Sequence, residues 1–98
     1  MVVSWDPATS LGNVAKHGVS FEEASELFTS GLDYLEIFDE SHSDEEDRFL
    51  AVGHIRRGLV IVVWTERDEF EVRIISARWA TPREALRFAD EMERNHGR

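Results

Sequence analysis

The sequence predicts an α+β fold: one small domain, residues 1–98, in which a mostly antiparallel sheet carries two N-terminal helices and a C-terminal helix. Three observations predict it. Leu59 to Trp64 is an apolar run without alternation, the mark of a central strand covered on both faces. The segments around it alternate with a period of two and are joined by short links, which favours hairpins and antiparallel neighbours. Helix-start signals stand at Asp6-Pro7, at Ser20 to Glu23 and at Thr81 to Glu84. The resulting order is β-α-α-β-β-β-β-α, with the helices packed on the sheet.

Val2 to Trp5 suits a short first strand. Asp6 caps the first helix, Pro7 opens it, and Gly18 ends it after His17. Ala8, Leu11, Val14 and Ala15 share one face of this helix and are expected inward. Gly12 weakens it by about 1 kcal/mol relative to alanine. The second helix opens on the capping box Ser20-Phe21-Glu22-Glu23 and buries Phe21, Ala24, Leu27 and Phe28, with Gly31 as its stop. Residues Asp33 to Phe38 alternate as a strand, and Asp39 to Asp47 reads as an exposed polar loop. Arg48 to Ile55 is the next strand, Arg56-Arg57-Gly58 a tight turn, and Phe70 to Ala77 the last strand after a turn at Glu66 to Glu69. The third helix runs from Pro82 to about Asn95, with Ala85, Leu86, Ala89 and Met92 expected inward.

Composition narrows the classes. A chain of this length buries roughly 60–70 % of its unfolded surface, enough for one core. With no cysteine, disulfides and thiolate metal sites are excluded, and a cytoplasmic location is expected. The longest apolar run is too short to span a bilayer, and the early Asp6-Pro7 argues against a signal peptide, so no membrane role is expected. Eleven basic against 20 acidic residues give a net charge of −9, unlike a simple nucleic-acid-binding protein. The charges are segregated, however. Glu36 to Asp47 holds seven acids and no base, whereas Arg48 to Arg83 holds seven arginines against four acids. A negative molecule can carry one positive face.

The junction between the last strand and the third helix concentrates candidate chemistry. Arg73, Arg78 and Arg83 are spread through it, and a helix N-terminus adds free N–H groups and a positive dipole end. Two readings are open: an anion site, with RNA backbone as one candidate, or arginines paired with the abundant surface carboxylates. Strict alternation puts Arg73 and Arg78 on opposite faces, so they converge only if the strand bulges or ends near Ser76. Histidines stand at 17, 42, 54 and 96 with no metal-ligand spacing, and no metal site is expected. His17 closes the first helix beside Lys16, where a cation also simply stabilises the helix end. Trp79, between arginines at an element boundary, suits either a contact anchor or a core tryptophan at the sheet corner. No glycine-rich phosphate loop, nucleophile elbow or catalytic carboxylate pair is present.

Several blocks together resemble the BrnT family, the toxin half of a type II toxin–antitoxin pair. They are Trp5-Asp6-Pro7, Asn13, Lys16-His17-Gly18-Val19-Ser20-Phe21-Glu22-Glu23-Ala24, Glu46-Asp47-Arg48-Phe49, Val52-Gly53, Thr65-Glu66-Arg67, Arg73-Ile74-Ile75-Ser76-Ala77-Arg78 and the Ala80-Thr81…Glu84 helix start. The resemblance implies a fold like that of the RelE ribonucleases, metal-free RNA cleavage without a cofactor, and a ribbon-helix-helix antitoxin of the BrnA type that also binds operator DNA. It implies catalytic roles for Arg73 and Arg78, and acid–base or phosphate roles for Lys16 and His17. RNA contacts are expected at Arg48, Arg83, Glu66 and Glu84, the last also orienting its helix start, and antitoxin contact at Trp79. The chain departs from the family at Thr9 and Ser10, and around Trp79 and Pro82, where members often carry basic residues. Each missing cation weakens attraction to RNA, so a non-catalytic module that binds only the antitoxin and its DNA complex is the alternative.

Overall fold

The computed structural model describes residues 1–39 and 46–96, with side chains as far as residue 94. Most of the expected acidic loop, His42 included, lies outside the described residues, as does the side chain of His96. The elements are β1 (Val2–Ser4), α1 (Pro7–His17), α2 (Phe21–Thr29), β2 (Leu35–Phe38), β3 (Arg48–Ile55), β4 (Gly58–Asp68), β5 (Glu71–Trp79) and α3 (Pro82–His96), in the expected order. One sheet has the order β1-β5-β4-β3-β2. The β2–β3, β3–β4 and β4–β5 pairs are antiparallel and β1–β5 is parallel, so the sheet is mixed. The last hairpin is tighter than its sequence suggests, because β4 runs on through Asp68 before turning.

β4 is central, and its apolar run serves both faces. Val60, Val62 and Trp64 join Val19, Phe21, Ala24 and Leu27 in the main core beneath α2. Ile61 faces the other way into a small second core with Val52 and Phe88. Alternation along β3 and β4 assigns the remaining side chains, and α3 lies over the second face only. Gly53 lets α2 approach β3. A Cβ there would come within 2.8 Å of Tyr34 Cβ and 2.5 Å of Leu27 Cδ1, too close for either to stay in place.

Two helices are turned from their expected faces. In α1 the buried residues are Ser10 and Asn13, while Leu11 is 74 % and Val14 44 % exposed. The reason is hydrogen bonding. The Asn13 side chain donates to the carbonyls of Val19 and Ala77, both at 2.8 Å, and accepts from Ala77 N–H at 3.2 Å. Ser10 Oγ accepts from the Phe21 N–H at 3.0 Å. Buried backbone groups that need partners outweigh two exposed aliphatic side chains. In α3 the buried residue is Phe88, while Leu86 and Ala89 are exposed and Ala85 and Met92 half-buried. The helix meets the sheet through the Phe88 ring and, as expected, Met92, rather than through a stripe of small residues. α2 buries Phe21, Ala24 and Leu27 as expected, and both hydrogen bonds of its capping box form.

Candidate functional site

A bulge in β5 decides where the arginines go. Val63 pairs with Ser76, but the next residue of β4, Trp64, pairs with Ile74, so Ile75 is the extra residue. Val72 and Ile74 point into the main core before the bulge, and Ala77 does so after it. The parity of the strand therefore switches at Ile75. Arg73 and Arg78, which strict alternation would separate, both face the side opposite α2.

Two cross-strand rungs result. Arg48, Thr65 and Arg73 are register partners on β3, β4 and β5, and Ser4 of β1 extends the rung. With neighbouring strands about 4.8 Å apart, Arg48 and Arg73 stand roughly 10 Å from each other on one face. The Thr65 hydroxyl between them is buried and donates to the Asp47 carbonyl at 2.6 Å. Arg48 lies 3.9 Å from Glu46, and Arg73 has no carboxylate within ion-pair reach among the described residues. The second rung joins Val52, Ile61 and Arg78. It lies four residues of β4 away, about 13 Å at the usual strand rise.

Arg78 is held tightly. Its two terminal nitrogens donate to the two carboxylate oxygens of Glu84, each at 2.7 Å. Glu84 also accepts from the Thr81 N–H at 2.9 Å, and its own N–H donates to the Thr81 hydroxyl at 3.2 Å. The capping box of α3 is thus joined to β5. The Arg78 hydrogen bonds, then that from Thr81, pull the Glu84 carboxyl down to about 2, and the same pairing holds the Arg78 guanidinium above its usual value.

The other candidate residues fall elsewhere. Lys16 and His17 are exposed at the end of α1, which runs beside β5 and bonds the Ala77 backbone. It is the next residue, Gly18, that lies beside Trp79, where an added Cβ would be 3.8 Å from Nε1. Trp79 is half-buried against the main core, at the corner of the sheet. Glu66 is exposed and pairs with Val72, on the opposite face from Arg73. Arg83 is exposed on the first turn of α3.

Sequence reading passed over Arg57. Its guanidinium lies 5.1 Å from the Trp79 ring centroid and donates to Glu23 at 2.5 and 2.8 Å and to the Gly18 carbonyl at 2.8 Å. That pairing lowers the Glu23 carboxyl. Arg57 ties the α1–α2 junction to the β3–β4 turn and to Trp79, and the turn signal at Arg56-Arg57-Gly58 gave no hint of it. Among the described residues no group of three His, Asp or Glu is placed to hold a metal ion.

This arrangement sits on a recognisable chain. The model of a family described as ribonuclease toxin, BrnT, of type II toxin–antitoxin system matches residues 5–84. The chain belongs to the BrnT family. The 1.1 Å crystal structure of the Brucella abortus ribonuclease toxin, BrnT, is similar at 22 % identity, with a TM-score of 0.61 over 83 % of this chain and 97 % of that one. At that identity the likeness carries the fold. No curated protein matches. The match to the BrnT family includes both arginine rungs and Glu84 and stops before Phe88, so most of α3 lies beyond it. Membership brings a protein antitoxin as partner and RNA as target. No described helix is long and apolar enough to cross a membrane.

Proposed function

We propose that this chain is a ribonuclease toxin that cleaves RNA without a metal ion. In this reading a ribbon-helix-helix antitoxin of the BrnA type neutralises it in the cytoplasm and links it to operator DNA. The observation that carries the reading is the bulge at Ile75, which puts Arg73 and Arg78 on one face with Arg48. In such a cleavage the 2′-oxygen attacks the neighbouring phosphorus and loses its proton. The 5′-oxygen leaves and gains one, and a 2′,3′-cyclic phosphate remains. Arg48 and Arg73 hold the backbone, and Arg78 stabilises charge on the phosphorane. Arginine stays protonated and moves no protons at working pH, so another group must. Lys16 and His17 take that role if the RNA passes round the end of β5 beside Trp79. Glu84 fixes the Arg78 fork, while Arg83 and Glu66 contribute at the margins.

A second reading has its own support. The Arg78 fork is already filled by Glu84, and a net charge of −9 repels RNA. Both favour a family member that only binds its partner and the DNA complex. Expression without the antitoxin separates the two. A toxin arrests growth and cuts RNA, and Arg73→Ala and Arg78→Ala each lower cleavage about a hundred- to thousandfold with an unchanged circular dichroism spectrum. A wild-type chain inert on RNA and harmless to cells leaves only the binding role.

A further inference from the structure

Arg78 carries two forks of donors, and only one is in use. A guanidinium offers five N–H groups, two on each terminal nitrogen and one on Nε. Glu84 takes one from Nη1 and one from Nη2, each at 2.7 Å, and the Trp79 carbonyl accepts from Nη1 at 3.4 Å. The Nε N–H and the second Nη2 N–H remain. They lie side by side and make a second fork of the same planar shape. Neither has a partner among the described residues. Nε is not sealed from solvent, and the side chain is 42 % exposed.

The same arginine lines a groove of about 630 Å³ between the sheet and α3, together with Leu35, Leu50, Val52 and Ile61. That volume suits one small ligand or one unit of a longer one. The charges around it cancel except at one place. Glu84 is answered by Arg78, and Glu91 lies 3.4 Å from Arg94. Glu36 is the register partner of Ala51, which belongs to the main core, so alternation sends its carboxylate to the α2 side. Arg87 is left. It is exposed, it lines the groove from α3, and it has no carboxylate within ion-pair reach among the described residues.

We propose that the reacting phosphate of RNA docks on the outer fork of Arg78 while Glu84 stays in place, and that Arg87 is the second cation on that phosphate. This rests on the ribonuclease reading above. The Arg78–Glu84 pair is neutral as a whole, so it supplies direction and little net attraction. Arg87 supplies the charge. Two parallel N–H groups of Arg78 meet two non-bridging oxygens, and the sugar and base of that nucleotide rest on the aliphatic floor. The filled end of Arg78 is then no obstacle to RNA, and Glu84 is a positioning residue. Arg87 lies beyond the residues 5–84 that match the family, so it is a contact this chain brings on its own third helix.

The test uses the full chain and an RNA oligomer with 2′-O-methyl groups, which lacks the attacking hydroxyl and keeps the phosphates. Nuclear magnetic resonance follows the Arg78 Nε–H signal, identified by its loss in Arg78→Lys, and fluorescence anisotropy gives the affinity. On binding, that signal should move downfield while the Glu84 carboxyl carbon stays where it is. Arg87→Gln should weaken binding about tenfold, the loss of one charged hydrogen bond. Arg56→Gln removes the same charge from the exposed β3–β4 turn and should leave affinity unchanged. Glu84→Gln should weaken binding by loosening the fork. Tighter binding by Glu84→Gln, or a Glu84 carbon that moves to the position of a free carboxylate, overturns the proposal, because RNA then displaces Glu84. Equal losses in Arg87→Gln and Arg56→Gln also sink it, by reducing Arg87 to a share of net charge. Inorganic phosphate that moves the Arg78 signal as far as RNA does makes the occupant a free anion and rules the proposal out. A chain that cleaves RNA with the Arg78 signal unmoved on binding keeps the ribonuclease reading and loses this proposal. A chain that neither binds nor cuts RNA loses both.

Discussion

Glu84 is the residue whose titration matters most for stability. Its folded value of about 2 lies below the ordinary carboxylate range. A depressed carboxylate contributes stability that is present above its unfolded value and is lost as the pH falls through its folded value. The window is therefore about pH 4.3 down to about 2. Both partners are a third or more exposed, so solvent screens the pair and the contribution is about 1 kcal/mol or less. Glu84→Gln should lower the melting temperature at neutral pH and merge with wild type below about pH 2, as melting curves across pH would show. Asn13 is the other residue with outsized weight. Asn13→Ala strands the Ala77 N–H and two carbonyls in a buried setting, at a cost of about 1–3 kcal/mol. A chemical denaturation midpoint equal to wild type would contradict that.

At the scale of elements, the strands and α2 were legible and the orientations of α1 and α3 were not. Alternation and an unbroken apolar run report burial directly, which is why β4 stands in the middle of the sheet. The apolar positions of α1 pointed outward because the Ala77 backbone needed a partner, and no periodicity of hydrophobic residues encodes that need. Phe88 was missed for a related reason: one large ring anchors α3 better than the alanines spaced around it. The bulge was legible only as a condition, since Ile75 differs in nothing visible from Ile74. That Arg73 and Arg78 share a face follows from it, whereas Lys16 and His17, adjacent in a motif, end exposed at the close of α1. Two substitutions test the element packing. Ile61→Ala opens a cavity between the second core and β4 and should cost about 2–5 kcal/mol in equilibrium unfolding. Gly53→Ala forces β3 away from Tyr34 and α2, and about 1–3 kcal/mol should be lost.

Over the whole molecule, charge sets how RNA is met. Each backbone phosphate neutralised on a single strand contributes about −0.7 to the slope of log affinity against log salt. Arg48, Arg73 and Arg78 together thus predict a slope of about −2, shallow for an RNA-binding protein and fitting a chain of −9. A slope near zero would mean that these arginines do not meet phosphates.

The Asn13 amide has a consequence for solubility. Beyond Ser4, β1 no longer covers β5, and the Asn13 side chain takes up both backbone groups of Ala77 in the place a neighbouring strand would fill. That edge is plugged by a side chain, and what remains of it is three residues of β1. Growth of an open-ended fibre needs two complementary edges on every copy. Among the described residues the β2 border offers four residues of ladder and the β1 border three, so strand-to-strand sticking finds little edge to propagate along.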